Sequence, residues 1–96
     1  MKIDFTNNED ILNVSLRGRL DTATAPEFED LLQENLTGAT AMTINCENLE
    51  YISSAGLRVL LSAQKRLKNA MKLTNVGELV MEVFEMTGFA DILVIE

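Results

Sequence analysis

The chain has 96 residues, 15 of them acidic and 8 basic, which gives a formal net charge of −7 at pH 7. Such an acidic surface repels phosphate backbones and anionic lipid headgroups, so we expect neither nucleic acid nor a membrane among its partners. The chain has no histidine, which excludes metal sites built on imidazole and catalytic pairs of Ser or Cys with His.

The N-terminal part is predicted to form a hairpin followed by a helix. Residues 2–6 and 11–17 alternate apolar and polar side chains around a turn-rich stretch, which favours two antiparallel strands. Pro26 and the acidic residues after it suit the first turn of a helix. The apolar stripe of this first helix, which is predicted to end near Gly38, is Phe28, Leu31, Leu32 and Leu36.

The central part is predicted to form a third strand at residues 41–46 and a second helix at residues 55–69. The apolar stripe of this helix is Leu57, Leu60, Leu61 and Leu67. Positive charge is favoured at the C-terminal end of a helix, and the basic residues there are Lys65, Arg66 and Lys68.

The C-terminal part is predicted to contain a strand at residues 71–76, a helix at 78–87 and a strand at 92–95. The third helix is expected to end at Gly88, with Phe89 folding back onto it. Its apolar residues, all expected to be buried, are Leu79, Val80, Val83 and Phe84. Because strands alternate with helices, we expect right-handed parallel connections and an α/β fold.

Cys46 is the only cysteine, so an internal disulfide is excluded and a reducing, cytoplasmic location is expected. We expect its thiol to be buried as a small hydrophobic group. No apolar run approaches the roughly 20 residues of a membrane span, and no glycine-rich phosphate-binding loop is present. We therefore expect no cofactor, no metal and no intrinsic enzyme activity.

Ser53 and Ser54 stand where the third strand gives way to the second helix. Hydroxyls at this position lie near the positive end of the helix dipole, where added negative charge is tolerated, so a phosphorylation site is one interpretation. Ser is also a preferred N-cap residue, and capping alone accounts for one of the two. The turn by itself leaves both interpretations open.

Three segments, in order along the chain, resemble landmarks of the STAS domain family (sulphate transporter and anti-sigma factor antagonist). Residues 51–57, Tyr-Ile-Ser-Ser-Ala-Gly-Leu, resemble its signature turn, and residues 18–21, Gly-Arg-Leu-Asp, resemble the Gly-x-Leu-Asp that closes a strand before the first helix. Asn75-Val76 and the later Thr87-Gly88-Phe89 resemble its C-terminal third. The resemblance implies a single STAS domain over residues 1–96, an α/β fold with a small mixed sheet of about five strands and three or more helices stacked as a β-α superhelix.

The resemblance also implies a function, that of an anti-sigma factor antagonist. Such a domain binds an anti-sigma factor of the serine-kinase type, is released when the kinase phosphorylates it, and is reset by a PP2C-type phosphatase. The acceptor position of the family falls on Ser54. The partner-binding positions that the resemblance implies are Asp21, Thr22, Ser53, Ala55, Gly56 and Arg58.

Two features leave alternatives open. Ser53 stands where most phosphorylated members of the family carry Asp, which supports a STAS interaction module in a transporter or signalling complex that is never phosphorylated. Asp21 follows a strand and precedes Thr22 and Thr24, so a turn or cap residue is as good an interpretation as a carboxylate that acts in partner binding.

Overall fold

The computed structural model describes residues 1–68 and 70–96, and its centre is one five-stranded mixed sheet. The strands lie side by side in chain order, the first pair antiparallel and the rest parallel. They are β1 (Lys2–Asn8), β2 (Ile11–Leu20), β3 (Ala41–Ile52), β4 (Met71–Thr74) and β5 (Val94–Ile95). The predicted mixed sheet with an antiparallel N-terminal pair is confirmed.

Three helices connect the parallel strands and pack on one face of the sheet. They are α1 (Ala25–Asn35), α2 (Ser54–Arg66) and α3 (Glu78–Thr87), and a short 3-10 turn, Phe89–Asp91, follows the last of them. Strand residues that point toward the helices form one hydrophobic cluster with them. The fully buried members of that cluster include Leu12, Leu16, Leu20, Phe28, Ile44, Ile52, Leu60, Leu73 and Phe84.

The two central strands are longer than the sequence predicts. β2 continues to Leu20 and β3 to Ile52, where these two residues are register partners. Parallel pairing with β2 keeps residues 47–52 extended although their polar side chains read as a loop, and register shifts after Ser15 and after Gly18 absorb the irregularity.

Other boundaries also differ. α2 ends at Arg66, and the predicted end at Asn69 lies outside the described residues. β4 stops at Thr74 because Asn75 has a left-handed backbone, φ 55°. β5 is shorter than predicted because the N–H groups of Ile92 and Leu93 still bond back to the Phe89 carbonyl oxygen, so pairing with β4 begins only at Val94.

The predicted orientation of α3 was wrong at one position. Val80 and Phe84 are buried at 1% and 0% exposure, whereas Leu79 is 70% exposed. Leu79 and Phe84 are five residues apart and point about 140° away from each other, so a helix on one side of a sheet cannot bury both equally well. The predicted end of the helix is confirmed, since Gly88 has φ 83° and Phe89 packs half-buried against the core.

This orientation can be tested by truncating one residue on each side of α3. We expect Phe84→Ala to lower the free energy of unfolding by about 3–5 kcal/mol, since it empties a packed site. Leu79→Ala should change it by no more than about 0.5 kcal/mol, as is usual at exposed positions. Urea unfolding followed by circular dichroism measures both, and equal losses would contradict the orientation described here.

Candidate functional site

The signature turn lies where the carboxyl ends of β2 and β3 meet. Leu20 and Ile52 are the last paired residues of these parallel strands, and the Ser53 N–H donates a hydrogen bond of 2.9 Å to the Leu20 carbonyl oxygen. The turn that starts α2 is therefore fastened to the turn that starts at Asp21. The fold brings together the two segments that the sequence analysis singled out.

Ser53 is the N-cap of α2. Its backbone is extended, with φ −100° and ψ 176°, and its hydroxyl oxygen accepts a hydrogen bond of 3.4 Å from the Gly56 N–H. Its carbonyl oxygen accepts the first bond of the helix, from the Leu57 N–H at 2.9 Å. The capping interpretation of the turn thus applies to Ser53, whose side chain is half-buried.

Ser54 is the first residue of α2, and its side chain is exposed. The N–H groups of Ser54 and Ala55 belong to the first turn, so no carbonyl within the helix can accept from them. They point outward at the positive end of the helix dipole, an arrangement suited to a phosphate or carboxylate. Since Ser53 serves as the cap, capping does not require the Ser54 hydroxyl.

Gly56 lets α2 approach the strands closely. A Cβ at this position would lie 2.8 Å from Leu20 Cγ and 2.9 Å from Ile52 Cγ1. Both distances are shorter than the contacts that real Cβ atoms make. Gly56 is buried, so its packing role is clear, and any contribution to partner binding would come through the position of the turn. That contribution stays a prediction.

Asp21 builds its own turn. Its Oδ1 accepts hydrogen bonds from the N–H groups of Ala23 (3.0 Å) and Thr24 (3.1 Å), and its N–H donates to Thr24 Oγ1 (2.9 Å). Hydrogen bonding from the Thr24 N–H is the main reason that the pKa of Asp21 is lowered. Partial burial opposes this pKa shift, while the Thr24 hydroxyl, the Ala23 N–H and the charge of Arg19 add to it. Asp21 is therefore a turn residue, as one of the two interpretations expected. Its role in partner binding stays a prediction.

Arg19 and Tyr51 form a pair beside the turn that the sequence analysis missed. They are register partners on β2 and β3, and the Arg19 guanidinium lies 4.4 Å from the centroid of the Tyr51 ring. Arg19 Nε is also 3.9 Å from Asp21 Oδ2. The sequence offered one signal for this pair. Arg19 stands two residues before Asp21, and Tyr51 stands two residues before Ser53. The pair gives the site a flat, cationic and aromatic border.

A shallow groove of about 290 Å³ separates the first turns of α1 and α2. Three predicted partner-binding residues, Thr22, Ala55 and Arg58, lie along it. Residues of the groove that the sequence analysis did not select are Ala25, Pro26, Glu29 and Val59. Ser54, Thr22 and Arg58 are exposed, and the predicted site residues lie at or just after the carboxyl ends of β2 and β3.

The remaining chemistry of the chain is sparse. Cys46 is 1% exposed, which confirms its expected place in the core, and this burial raises the pKa of its thiol to about 12, which disfavours the reactive thiolate. Within residues 1–68 and 70–96, no group of three or more acidic or cysteine side chains is arranged to hold a metal ion. No helix of the described chain is both long and apolar enough to cross a membrane.

The close approach at Gly56 can be tested by adding one methyl group. We expect Gly56→Ala to lower the free energy of unfolding, because an overpacking cost of about 1–3 kcal/mol exceeds the 0.5–1 kcal/mol or so that Ala gains in a helix. Combining it with Leu20→Ala, which vacates the contacted atoms, should cost less than the sum of the single changes. Strict additivity in urea unfolding would mean that the two residues do not meet.

The Asp21 turn predicts a particular pH dependence. Because the folded-state pKa is lowered from 3.8, the stabilisation is complete above the ordinary pKa and is lost as the pH falls through the lowered one. The stability advantage of the wild type over Asp21→Asn should therefore shrink below about pH 4. Thermal unfolding across pH measures it, with Asp30→Asn, an exposed carboxylate of α1, as the control. An advantage that is constant with pH would contradict the hydrogen-bonded turn.

Comparison with known proteins agrees with this fold. An anti-sigma-B factor antagonist of Bacillus subtilis (strain 168) is 28% identical over 96 residues, which cover 97% of this chain and 88% of that protein. An anti-sigma factor antagonist from Mycobacterium paratuberculosis has the same fold, with a TM-score of 0.86 at 20% identity over 98% of this chain and 83% of the other. The phosphorylated form of the Bacillus cell fate determinant SpoIIAA aligns with a TM-score of 0.74 at 17% identity, over 99% and 91% of the two chains. The sequence model of the STAS domain matches residues 2–96, and the chain therefore belongs to the STAS domain family.

Proposed function

We propose that this protein is a cytoplasmic anti-sigma factor antagonist that binds an anti-sigma factor of the serine-kinase type and is released when that kinase phosphorylates Ser54. A PP2C-type phosphatase would then reset it. The observation that carries the proposal is the exposed Ser54 hydroxyl at the first position of α2, with Ser53 already serving as the cap. The relative in B. subtilis, named an anti-sigma-B factor antagonist, supports the same role.

The proposed switch is electrostatic. A phosphate brings about −1.5 to −2 charges to the turn at pH 7. In the free domain the unpaired N–H groups and the helix dipole offset that charge, the dipole by roughly 0.3–1 kcal/mol. Buried against a partner, the same charge loses its water and costs several kcal/mol, on the order of a thousandfold in affinity. The free phosphorylated domain is therefore favoured over the complex.

Arg58 gives the free form a further means of accepting the phosphate. It lies four residues after Ser54 on α2, so the two side chains are neighbours on the helix surface. Arg58 is exposed and forms no ion pair with any described residue. A guanidinium within reach of a phosphate forms strong charge-assisted hydrogen bonds. We infer that Arg58 contacts the partner in the unmodified state and the phosphate in the modified one.

The chain acts in this scheme as a substrate and a binding partner. Ser54 has no histidine to deprotonate it, and the nearby Asp21 carboxylate is occupied by its own turn. Activation of the hydroxyl and the binding of ATP and magnesium would therefore belong to the kinase. We assign kinase binding to the groove lined by Thr22, Ala55 and Arg58, together with the Arg19–Tyr51 pair at the ends of β2 and β3.

A second candidate is a STAS interaction module that is never phosphorylated. It is favoured by Ser53, which stands where most phosphorylated relatives carry Asp and which offers the turn a cap but no carboxylate. The two functions share the docking surface and differ in the chemistry at Ser54. Mass spectrometry of the protein isolated from its native cells separates them, since phosphate on Ser54 supports the switch and its persistent absence supports the module.

Phosphorylation by the cognate kinase tests the assignment to Ser54. With labelled ATP, the wild type and Ser53→Ala should incorporate phosphate, whereas Ser54→Ala should not. Ser53→Ala should also lose about 0.5–2 kcal/mol of stability because it removes the cap, whereas Ser54→Ala should stay within about 0.5 kcal/mol of the wild type. Ser54→Asp should weaken kinase binding less than phosphate does, because it carries about half the charge.

The paired serines make this a matched experiment, because they are adjacent and chemically identical. Label retained in Ser54→Ala would refute the assignment. Equal stability losses in the two alanine variants would contradict the separation of cap and acceptor on which the proposal rests.

A further inference from the structure

The outer face of α3 exposes apolar side chains that the core does not use. Leu79 is 70% exposed and Met86 is 87% exposed, while Val80 and Phe84 on the opposite side are buried. Leu79 and Met86 are seven residues apart, which places them two helical turns apart along one line of the helix surface. Two large apolar side chains exposed along one line of a helix make this face a candidate contact surface.

A row of carboxylates runs beside these apolar residues. Glu78, Glu82 and Glu85 follow one another at spacings of four and three residues, and all are exposed. No basic residue lies on α3, and neither of the ion pairs found among the described residues involves these carboxylates. Like charges at these spacings repel one another, and Glu85 lies near the negative end of the helix dipole. The unbound helix therefore holds charges that a cationic partner would neutralise.

Two hollows also lie next to this face of α3. A hollow of about 480 Å³ lies between the start of α3 and the ends of the central strands, and Leu79 and Glu78 border it together with Arg19 and Leu49. A second hollow of about 400 Å³ borders the other side of the carboxylate row, next to Val76 and Met81. The acidic row thus forms a ridge along the second hollow, and its first residue, Glu78, borders both hollows. Apolar side chains of a bound segment could enter them while its cationic groups met the ridge.

We propose that the outer face of α3, made of Glu78, Leu79, Glu82, Glu85 and Met86, is a docking surface for a basic amphipathic segment of a partner protein. The charge of the face selects this occupant. A second copy of the chain would bring three more carboxylates and a net charge of −7, and nucleic acid and anionic lipid are repelled in the same way. A helix with one apolar and one basic face matches the ridge and its hollows. The inference goes beyond the proposed function and does not depend on phosphorylation of Ser54.

The test uses the full chain, labelled with nitrogen-15, and a synthetic helical peptide with leucine on one face and lysine on the other. Amide shifts on titration should cluster in residues 76–90. Glu82→Lys should weaken binding about tenfold, because it reverses a charge at the centre of the face. Glu34→Lys makes the same charge change on an exposed residue of α1 and should change the affinity by no more than about twofold.

The apolar contribution has its own matched pair. Leu79→Ser should weaken the peptide by about tenfold, whereas Ile92→Ser, at a residue that is 46% exposed outside α3, should leave the affinity within about twofold. Both are exposed positions, and circular dichroism checks that each variant is folded. Ser54→Asp should also leave the affinity within about twofold, which separates this surface from the switch.

Three results would overturn the proposal. Equal weakening by Glu82→Lys and Glu34→Lys would show that the peptide affinity depends only on the net charge of the chain. Shifts centred on residues 51–58 would place the peptide at the Ser54 turn. A loss of binding in Ser54→Asp as large as that in Leu79→Ser would merge the two surfaces into one. None of these results would affect the labelling experiment on Ser54, so the two proposals fail independently.

Discussion

The close approach of α2 to the carboxyl ends of β2 and β3 is the constraint on which the rest of this structure depends. It requires a residue without a side chain at position 56, because a Cβ would meet Leu20 and Ile52 at less than 3.0 Å. The bond from the Ser53 N–H to the Leu20 carbonyl oxygen fastens the same point. With the helix held there, the start of α2 stands at a fixed height above the sheet, and the residue after the cap must face outward.

The two serines of the turn differ in their place in the structure, since Ser53 is the N-cap and Ser54 is the exposed first residue of α2. Ser53 satisfies an N–H group of the first turn and closes the strand-to-helix connection, which leaves Ser54 free to react or to bind. Asp21 is engaged in a similar way, since its carboxylate accepts from the backbone of its own turn. A rigid support beneath an unoccupied hydroxyl suits a switch, because a change at Ser54 alters the surface charge without requiring the packed helix to move.

Charge is distributed unevenly around this support. The turn itself has the positive end of α2 and the guanidinium groups of Arg19 and Arg58 near it, whereas α3 carries carboxylates and no basic residue. The first environment suits the proposed phosphate, and the second suits the proposed cationic partner. An overall charge of −7 therefore combines two surfaces of opposite local charge, consistent with the two partners proposed above.

The sequence alone determined the elements and their order, because hydrophobic periodicity, Pro26 near a helix start and Gly88 at a helix end are local signals. It also singled out residues 51–57 and Asp21, from residue types that resemble a known family. Only the tertiary structure decided which serine is the cap, that Gly56 packs against Leu20, and that Arg19 lies over Tyr51. These depend on the pairing of strands more than thirty residues apart, which no local pattern encodes. The orientation of α3 was likewise settled by packing, since Leu79, Val80, Val83 and Phe84 fit a helical stripe in more than one rotation and only contact with the sheet shows which of them faces water.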